Sequence, residues 1–153
     1  MNILKSDLKY LNIKKIFKIL PHRYPFLLID RILDFQTFKY LKALKNSTIN
    51  EYFFQGHFIN DPVFPGVLII ESMAQAAGIL IYQSTGSLNI NKLYYFVGIE
   101  KAKFKSNVFP GDQIFIEVNV LESRKNLIKF KVFAVVNNKN VCESVIVFCK
   151  KNI

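Results

Sequence analysis

The chain has 153 residues, the size of one domain with a single hydrophobic core, and its 51% hydrophobic and 14% aromatic content argues against disorder. Its net charge of +10 invites a nucleic-acid reading, but lysines outnumber arginines 18 to 3. Base and phosphate readers lean on arginine's bidentate fork, so no nucleic acid is expected; a basic surface suits an acidic protein partner instead.

In chain order, Asn12 is placed to cap a short helix, with Ile13, Ile16, Phe17 and Leu20 at helical spacing and Lys14, Lys15 and Lys18 facing water. Residues 1–18 alternate lysines with apolar residues and lack the apolar block of a signal peptide, so a cytoplasmic location is expected. Pro21 ends the helix. His22 follows in a proline-bounded turn and reads as a turn residue or pocket wall. Residues 26–35 form a nearly continuous apolar run, predicted as a strand covered on both faces. Residues 38–46 predict a weaker strand at an edge, because lysines interrupt any clean face.

Residues 56–65 lack periodicity and carry two prolines, so they predict an irregular loop. Pro65-Gly66 then opens a helix, since proline's fixed φ suits a first turn. From Val67 to Tyr82 the residues are nearly all apolar, and the helix is expected to be buried on most of its surface. Glu71, Ser72 and Gln75 break its apolar run short of a bilayer span, and no membrane insertion is expected. Residues 84–91 read as a loop. Residues 93–105 predict a long strand with a bulge at Gly98, with Tyr94, Tyr95 and Phe96 near its start as pocket walls. Lys101, Lys103 and Lys105 share one face at period two. Pro110-Gly111-Asp112 is a turn, and Ile114, Ile116, Val118 and Val120 alternate with polar residues as a half-buried strand does. Two more strands, 128–136 and 141–149, are joined through residues 137–140. Cys142 and Cys149 fall on opposite faces of the last strand, with neither a CxxC pair nor a histidine neighbour, which excludes a local disulfide and a zinc site. The order is one short helix, two strands, one long helix and four strands. It defines an α+β class in which an antiparallel sheet needs one helix to cover it. No linker divides residues 1–153, so a single domain is expected.

The chemistry concentrates around the long helix. Glu71 and Gln75 lie four residues apart and share a face. A carboxylate in an apolar helix needs a partner, and burial raises its pKa. The titratable partner nearby in sequence is His57, at the mouth of the loop. A neutral histidine paired with a protonated carboxyl group is what general base and general acid work near neutral pH requires. Pro65-Gly66 adds free N–H groups and the positive end of a helix dipole, with no side chain on Gly66 to block a carbonyl. Base, acid and oxyanion site therefore converge. Gln75 is expected to support the orientation of Glu71. No metal or redox cofactor is called for.

His57-Phe58, Pro62-Val63, Pro65-Gly66-Val67-Leu68, Glu71 and Met73-Ala74-Gln75 resemble the (3R)-hydroxyacyl-acyl-carrier-protein dehydratases of type II fatty acid synthesis, the FabZ type. The resemblance extends to Leu20-Pro21-His22-Arg23-Tyr24-Pro25-Phe26-Leu27-Leu28, to Phe53-Phe54-Gln55-Gly56-His57 and to Pro110-Gly111-Asp112, and so covers almost the whole chain. It implies a hot-dog fold, an antiparallel sheet wrapped around one long central helix. It implies a dimer, often assembled further as a trimer of dimers, in which His57 faces Glu71 of another copy. The reaction implied is loss of water from a (3R)-3-hydroxyacyl thioester to give the trans-2-enoyl thioester. His57 would be the base, Glu71 the acid and the Gly66 N–H the oxyanion donor. Leu20, Pro21, Phe58 and Tyr95 are candidate walls of an acyl tunnel, with Val63 as a supporting residue. The substrate would arrive on the phosphopantetheine arm of acyl carrier protein, with Arg23, Lys101, Lys103 and Lys105 as candidate contacts. One departure stands out: Ile59-Asn60 replaces the family's Pro-Gly after His-Phe. Ile59 with Asp61-Pro62 leans toward the related dehydratase/isomerase branch, FabA, while Glu71 leans back. A hot-dog thioesterase and a non-catalytic acyl-thioester sensor are the alternatives. The His57–Glu71 pair with Pro65-Gly66 argues against the sensor, and the His-Phe loop with the Glu71-to-Gln75 spacing argues against the thioesterase.

Overall fold

A computed structural model describes residues 9–86 and 92–152. The first eight residues of the lysine-rich N-terminal stretch and residues 87–91 of the expected loop lie outside them. Asn12 caps α1 (Ile13–Ile16) as expected, its Oδ1 accepting the Lys15 N–H at 3.1 Å. The helix is a single turn. Ile16, Ile19 and Leu20 are buried, while Ile13 and Phe17 of the expected apolar face stay exposed.

The first predicted strand starts too early. Only Arg31–Gln36 forms β1. Residues 26–29 are apolar, but the N–H groups of the first three are taken elsewhere, and only Asp30 donates to the Leu44 carbonyl. The N–H groups of Phe26 and Leu27 close a turn on the Arg23 carbonyl, and that of Leu28 is donated to the Gln75 side chain. A continuous apolar run reports burial, not ladder pairing. Nor is β2 (Tyr40–Asn46) an edge strand: it lies between β1 and β4 (Gln113–Arg124). Its lysines do not mark a solvated face, because Lys42 is exposed while Lys45 is buried against Glu51, with Asp30 at 3.9 Å.

The remaining strands are β3 (Lys92–Phe104), β5 (Leu127–Val136) and β6 (Lys139–Asn152). All pairs are antiparallel, and the order across the sheet is β1-β2-β4-β5-β6-β3. Asn137 and Asn138 both take positive φ, which the two-residue hairpin between β5 and β6 requires. The bulge expected at Gly98 is present between Phe96 and Gly98. A second, between Glu100 and Lys103, was not expected. It puts Lys101 in the left-handed region at φ 52, so Lys101 does not continue the alternation of Lys103 and Lys105.

The sheet curls around α2 (Gly66–Thr85), which packs against β2, β3, β4, β5 and β6 in the hot-dog arrangement. Pro65 precedes the first turn, and Gly86 ends the helix at φ 74 with its N–H on the Tyr82 carbonyl. The helix outlasts the expected boundary, reaching Thr85, and the Ser84 and Thr85 hydroxyls donate to the carbonyls of Leu80 and Ile81. At 20 residues it also reaches the length and mean hydropathy of a bilayer span, contrary to the expectation, but 61% of its apolar window is buried inside the molecule. Met73, Ala76, Ala77 and Ile79 face Ile116, Val118, Val132 and Ala134 in one continuous core.

Candidate active site

The expected site falls into two halves that line separate cavities. In one, His57 stands just past a 3-10 turn (Tyr52–Gln55) and opens a tight loop. Its N–H is donated to the Phe53 carbonyl at 2.9 Å, and its own carbonyl accepts the Val63 N–H at 2.9 Å. The imidazole Nδ1 lies 2.7 Å from the Val63 carbonyl oxygen. That oxygen only accepts, so Nδ1 carries the hydrogen and the neutral ring presents a basic lone pair at Nε2. The Phe58 ring stacks on the imidazole at 4.1 Å. Val63 supports His57 through its main chain, which the sequence singled out without this role.

His57 opens into a cleft of about 470 Å³ that includes Phe58, Val63, Gly66, Val67 and Phe104. As the first residue of α2, Gly66 directs its N–H out of the helix, where no helical carbonyl can accept it. Its missing side chain has a second cause. A Cβ there would meet Phe104 Cε1 at 2.8 Å, so the bare Cα is the seat of an aromatic ring rather than open approach space. Ile59 and Asn60, the departure from the family pattern, form the exposed tip of a loop closed by reciprocal Phe58–Asp61 backbone bonds of 3.1 and 3.2 Å.

Glu71 faces a different cavity, of about 260 Å³. Leu20, Pro21 and Tyr95, three of the four expected tunnel residues, line it together with His22, Gly78, Tyr82 and Tyr94. Phe58, the fourth, belongs to the His57 cleft. The carboxyl group is not sealed in apolar surroundings: its side chain keeps 20% exposure. Gln75 holds it. The Gln75 amide donates to Glu71 Oε1 at 2.9 Å and to the Phe26 carbonyl at 2.7 Å, and accepts the Leu28 N–H at 2.9 Å. One buried amide thus orients the carboxyl and pins the segment that failed to become a strand.

Sequence proximity paired Glu71 with His57, but within one chain the imidazole beside it is that of His22, with Nε2 3.7 Å from Glu71 Oε1. His22 had been read as a turn residue or wall. No sequence signal linked it to Glu71, since the contact joins a turn to a helix 49 residues later. Of the basic candidates, Arg23 donates to the carbonyls of Leu20, His22 and Phe17 at 2.8, 2.7 and 3.0 Å, and Lys105 pairs with Glu143 at 2.9 Å. Lys101 and Lys103 are exposed on β3. Burial pushes the Cys142 thiol up to about 11, so it is no thiolate nucleophile near neutral pH.

A family model described as the FabA-like domain matches residues 20–145. A 3-hydroxyacyl-[acyl-carrier-protein] dehydratase FabZ of Buchnera aphidicola subsp. Schizaphis graminum is 70% identical over 150 residues, 98% of this chain and 99% of its own. The chain belongs to the FabZ dehydratase family. A FabZ of Erwinia tasmaniensis is 55% identical over 134 residues, covering 88% of this chain and 89% of its own. Among solved structures, the dehydratase heterocomplex ApeI:P from Xenorhabdus doucetiae superposes with a TM-score of 0.74 at 16% identity, covering 90% of this chain and 91% of that one. A thioesterase from Haemophilus influenzae does so at 0.69 and 14%, covering 93% and 92%. At such identities these two show only that this chain shares their fold.

Proposed function

We propose that two copies of this chain dehydrate (3R)-3-hydroxyacyl-acyl-carrier-protein to the trans-2-enoyl thioester in fatty acid synthesis, each site using His57 of one copy and Glu71 of the other. The observation that carries the shared site is the separation of the two residues: within one chain they line different cavities. Apolar surface supports a pairing of copies. β3 ends the sheet with Val97 57% and Ile99 51% exposed, and beside His57 the side chains of Phe58, Val67 and Phe104 are also uncovered. An apolar edge strand of this length calls for a second strand. Further assembly into a trimer of dimers, and a cytoplasmic home, belong to the same reading.

His57 Nε2 takes the proton from C2, which the neighbouring thioester carbonyl makes acidic. The charge that develops on the carbonyl oxygen falls to the Gly66 N–H at the positive end of α2. Glu71 gives a proton to the departing hydroxyl, which leaves as water. General acid–base help contributes about 10²–10⁴ in rate and an oxyanion donor about 10²–10³. The acyl chain lies among Leu20, Pro21 and Tyr95, with Phe58 at the His57 end. Lys101 and Lys103 on the exposed face of β3 are the first candidates to meet the acidic carrier protein, Lys105 and Arg23 being engaged within the chain.

The test is a mass-spectrometric assay of purified protein with a 3-hydroxyacyl-carrier-protein thioester, beside His57→Ala and Glu71→Gln. Loss of one water by the wild type and by neither variant is expected. Co-refolding the two inactive variants should then restore activity, because a mixed pair has one intact site. Restoration failing while mixed pairs form would place both residues of a site in one copy. Release of free thiol with intact hydroxy acid would instead identify a thioesterase.

A further inference from the structure

We propose that His22 is a positioning residue for Glu71: its Nε2–H closes onto Oε1 beside the Gln75 donor and leaves Oε2 as the oxygen that carries the transferable proton. This rests on the acid role of Glu71 given above. Three observations carry it. The Gln75 amide nitrogen, which can only donate, already lies on Oε1 at 2.9 Å. The His22 Nε2 faces that same oxygen at 3.7 Å, within one small ring movement of a hydrogen bond, and such bonds tighten when substrate is loaded. Finally, the other ring nitrogen, Nδ1, is buried with no hydrogen-bond partner among the described residues.

The orphan nitrogen decides the tautomer. A ring protonated at Nδ1 would bury a donor without an acceptor and turn a lone pair toward the carboxyl oxygen. A ring protonated at Nε2 buries only a bare lone pair and points its hydrogen at Oε1. With two donors converging on Oε1, that atom is the carbonyl-like oxygen of the neutral acid. The proton then sits on Oε2.

The ring is held for this. Its face stacks on Phe26 at 6.0 Å and 27°. The turn that carries it is tied by the Arg23 guanidinium to the carbonyls of Leu20, His22 and Phe17. Gln75 grips the Phe26 carbonyl at 2.7 Å, so the amide that orients Glu71 also fixes the residue under the imidazole. Around the cavity the other titratable side chains are Tyr82 from α2 and Tyr94 and Tyr95 from β3, with burial pushing the Tyr94 phenol up. His57 of the same chain opens on the other cleft.

The experiment compares His22→Gln with His22→Asn in the full-length protein, with 3-hydroxyacyl-carrier-protein thioester as substrate. A glutamine amide reaches the place of Nε2, whereas an asparagine amide reaches only that of Nδ1. Expected for His22→Asn is a kcat about 10–100-fold below wild type with KM nearly unchanged, as for loss of an orienting partner. Expected for His22→Gln is recovery of most of that loss. Equal kcat values for the two variants, or a loss confined to KM or to the thermal midpoint, overturns the proposal. Glu71→Gln separates the two readings. Full turnover by Glu71→Gln removes the acid role itself, while an inactive Glu71→Gln beside a fully active His22→Asn removes only His22.

Discussion

The two halves of the site are held by different means. His57 is fixed by its own neighbourhood: its ring and both of its backbone groups bond to main-chain atoms within six residues. Glu71 is fixed from afar, by a side-chain amide whose other partners, Phe26 and Leu28, lie 49 and 47 residues away in sequence. Main-chain acceptors survive side-chain replacement, and a side-chain clamp does not. The base is therefore protected against substitution at its supports, while the acid depends on side chains, one of which also anchors a stretch of backbone.

Replacing Gln75 should give the largest separation. Gln75→Leu removes both partners and strands the buried Leu28 N–H, at about 1–3 kcal/mol for a buried group left unpaired. Urea unfolding should show the loss of stability, and kcat should fall with it. Val63→Ala is the matching change on the other half, and it should leave kcat within about threefold because the carbonyl that holds His57 is retained. A large kcat effect there would show that the loop depends on the Val63 side chain, and the contrast would fail.

Gly66 gives an intermediate effect. Gly66→Ala drives a methyl group into the Phe104 ring, and overpacking of this kind costs roughly 1–3 kcal/mol. Gly66→Ala combined with Phe104→Ala should recover part of that stability in a double-mutant cycle. Strict additivity would mean that the ring moves aside freely. The smallest effect belongs to Glu143 on β6, which takes no part in either half. The Lys105 ammonium beside it holds its carboxyl below the ordinary carboxylate range. The group's contribution is thus complete above its unfolded value and is lost as pH falls through the lower folded one. Wild type and Glu143→Gln should differ slightly in thermal midpoint at neutral pH and converge in acid.

How much of this was legible in the sequence follows the same division. Local signals were read well: the Asn12 cap, the opening of the helix at Pro65-Gly66, the Gly98 bulge and the alternation of Ile114, Ile116 and Val118 each depend on near neighbours. What failed was decided at long range. Residues 26–28 have a strand's composition but lose their ladder because Gln75 and Arg23 claim their backbone. Lysines in β2 suggested an edge, and no local pattern could reveal that Lys45 meets Glu51 inside. His57, Gly66 and Phe58 line one cavity and Glu71, Leu20, Pro21 and Tyr95 another, and no sequence pattern reveals that within one chain His22 is the imidazole beside Glu71. Phe104 was missed altogether, since an exposed aromatic near the end of a strand carries no periodic signal.

The long apolar helix leaves one problem for the growing chain. Only β1 and β2 of its wrapping are made before it, and β3 to β6 follow. At about 5–20 residues per second, synthesis of the remaining stretch lasts on the order of several seconds. Throughout that interval a segment with the hydropathy of a membrane span emerges without most of its cover. Cover for that segment therefore comes last, and a chain cut short before β5 lacks two of the strands that pack on it.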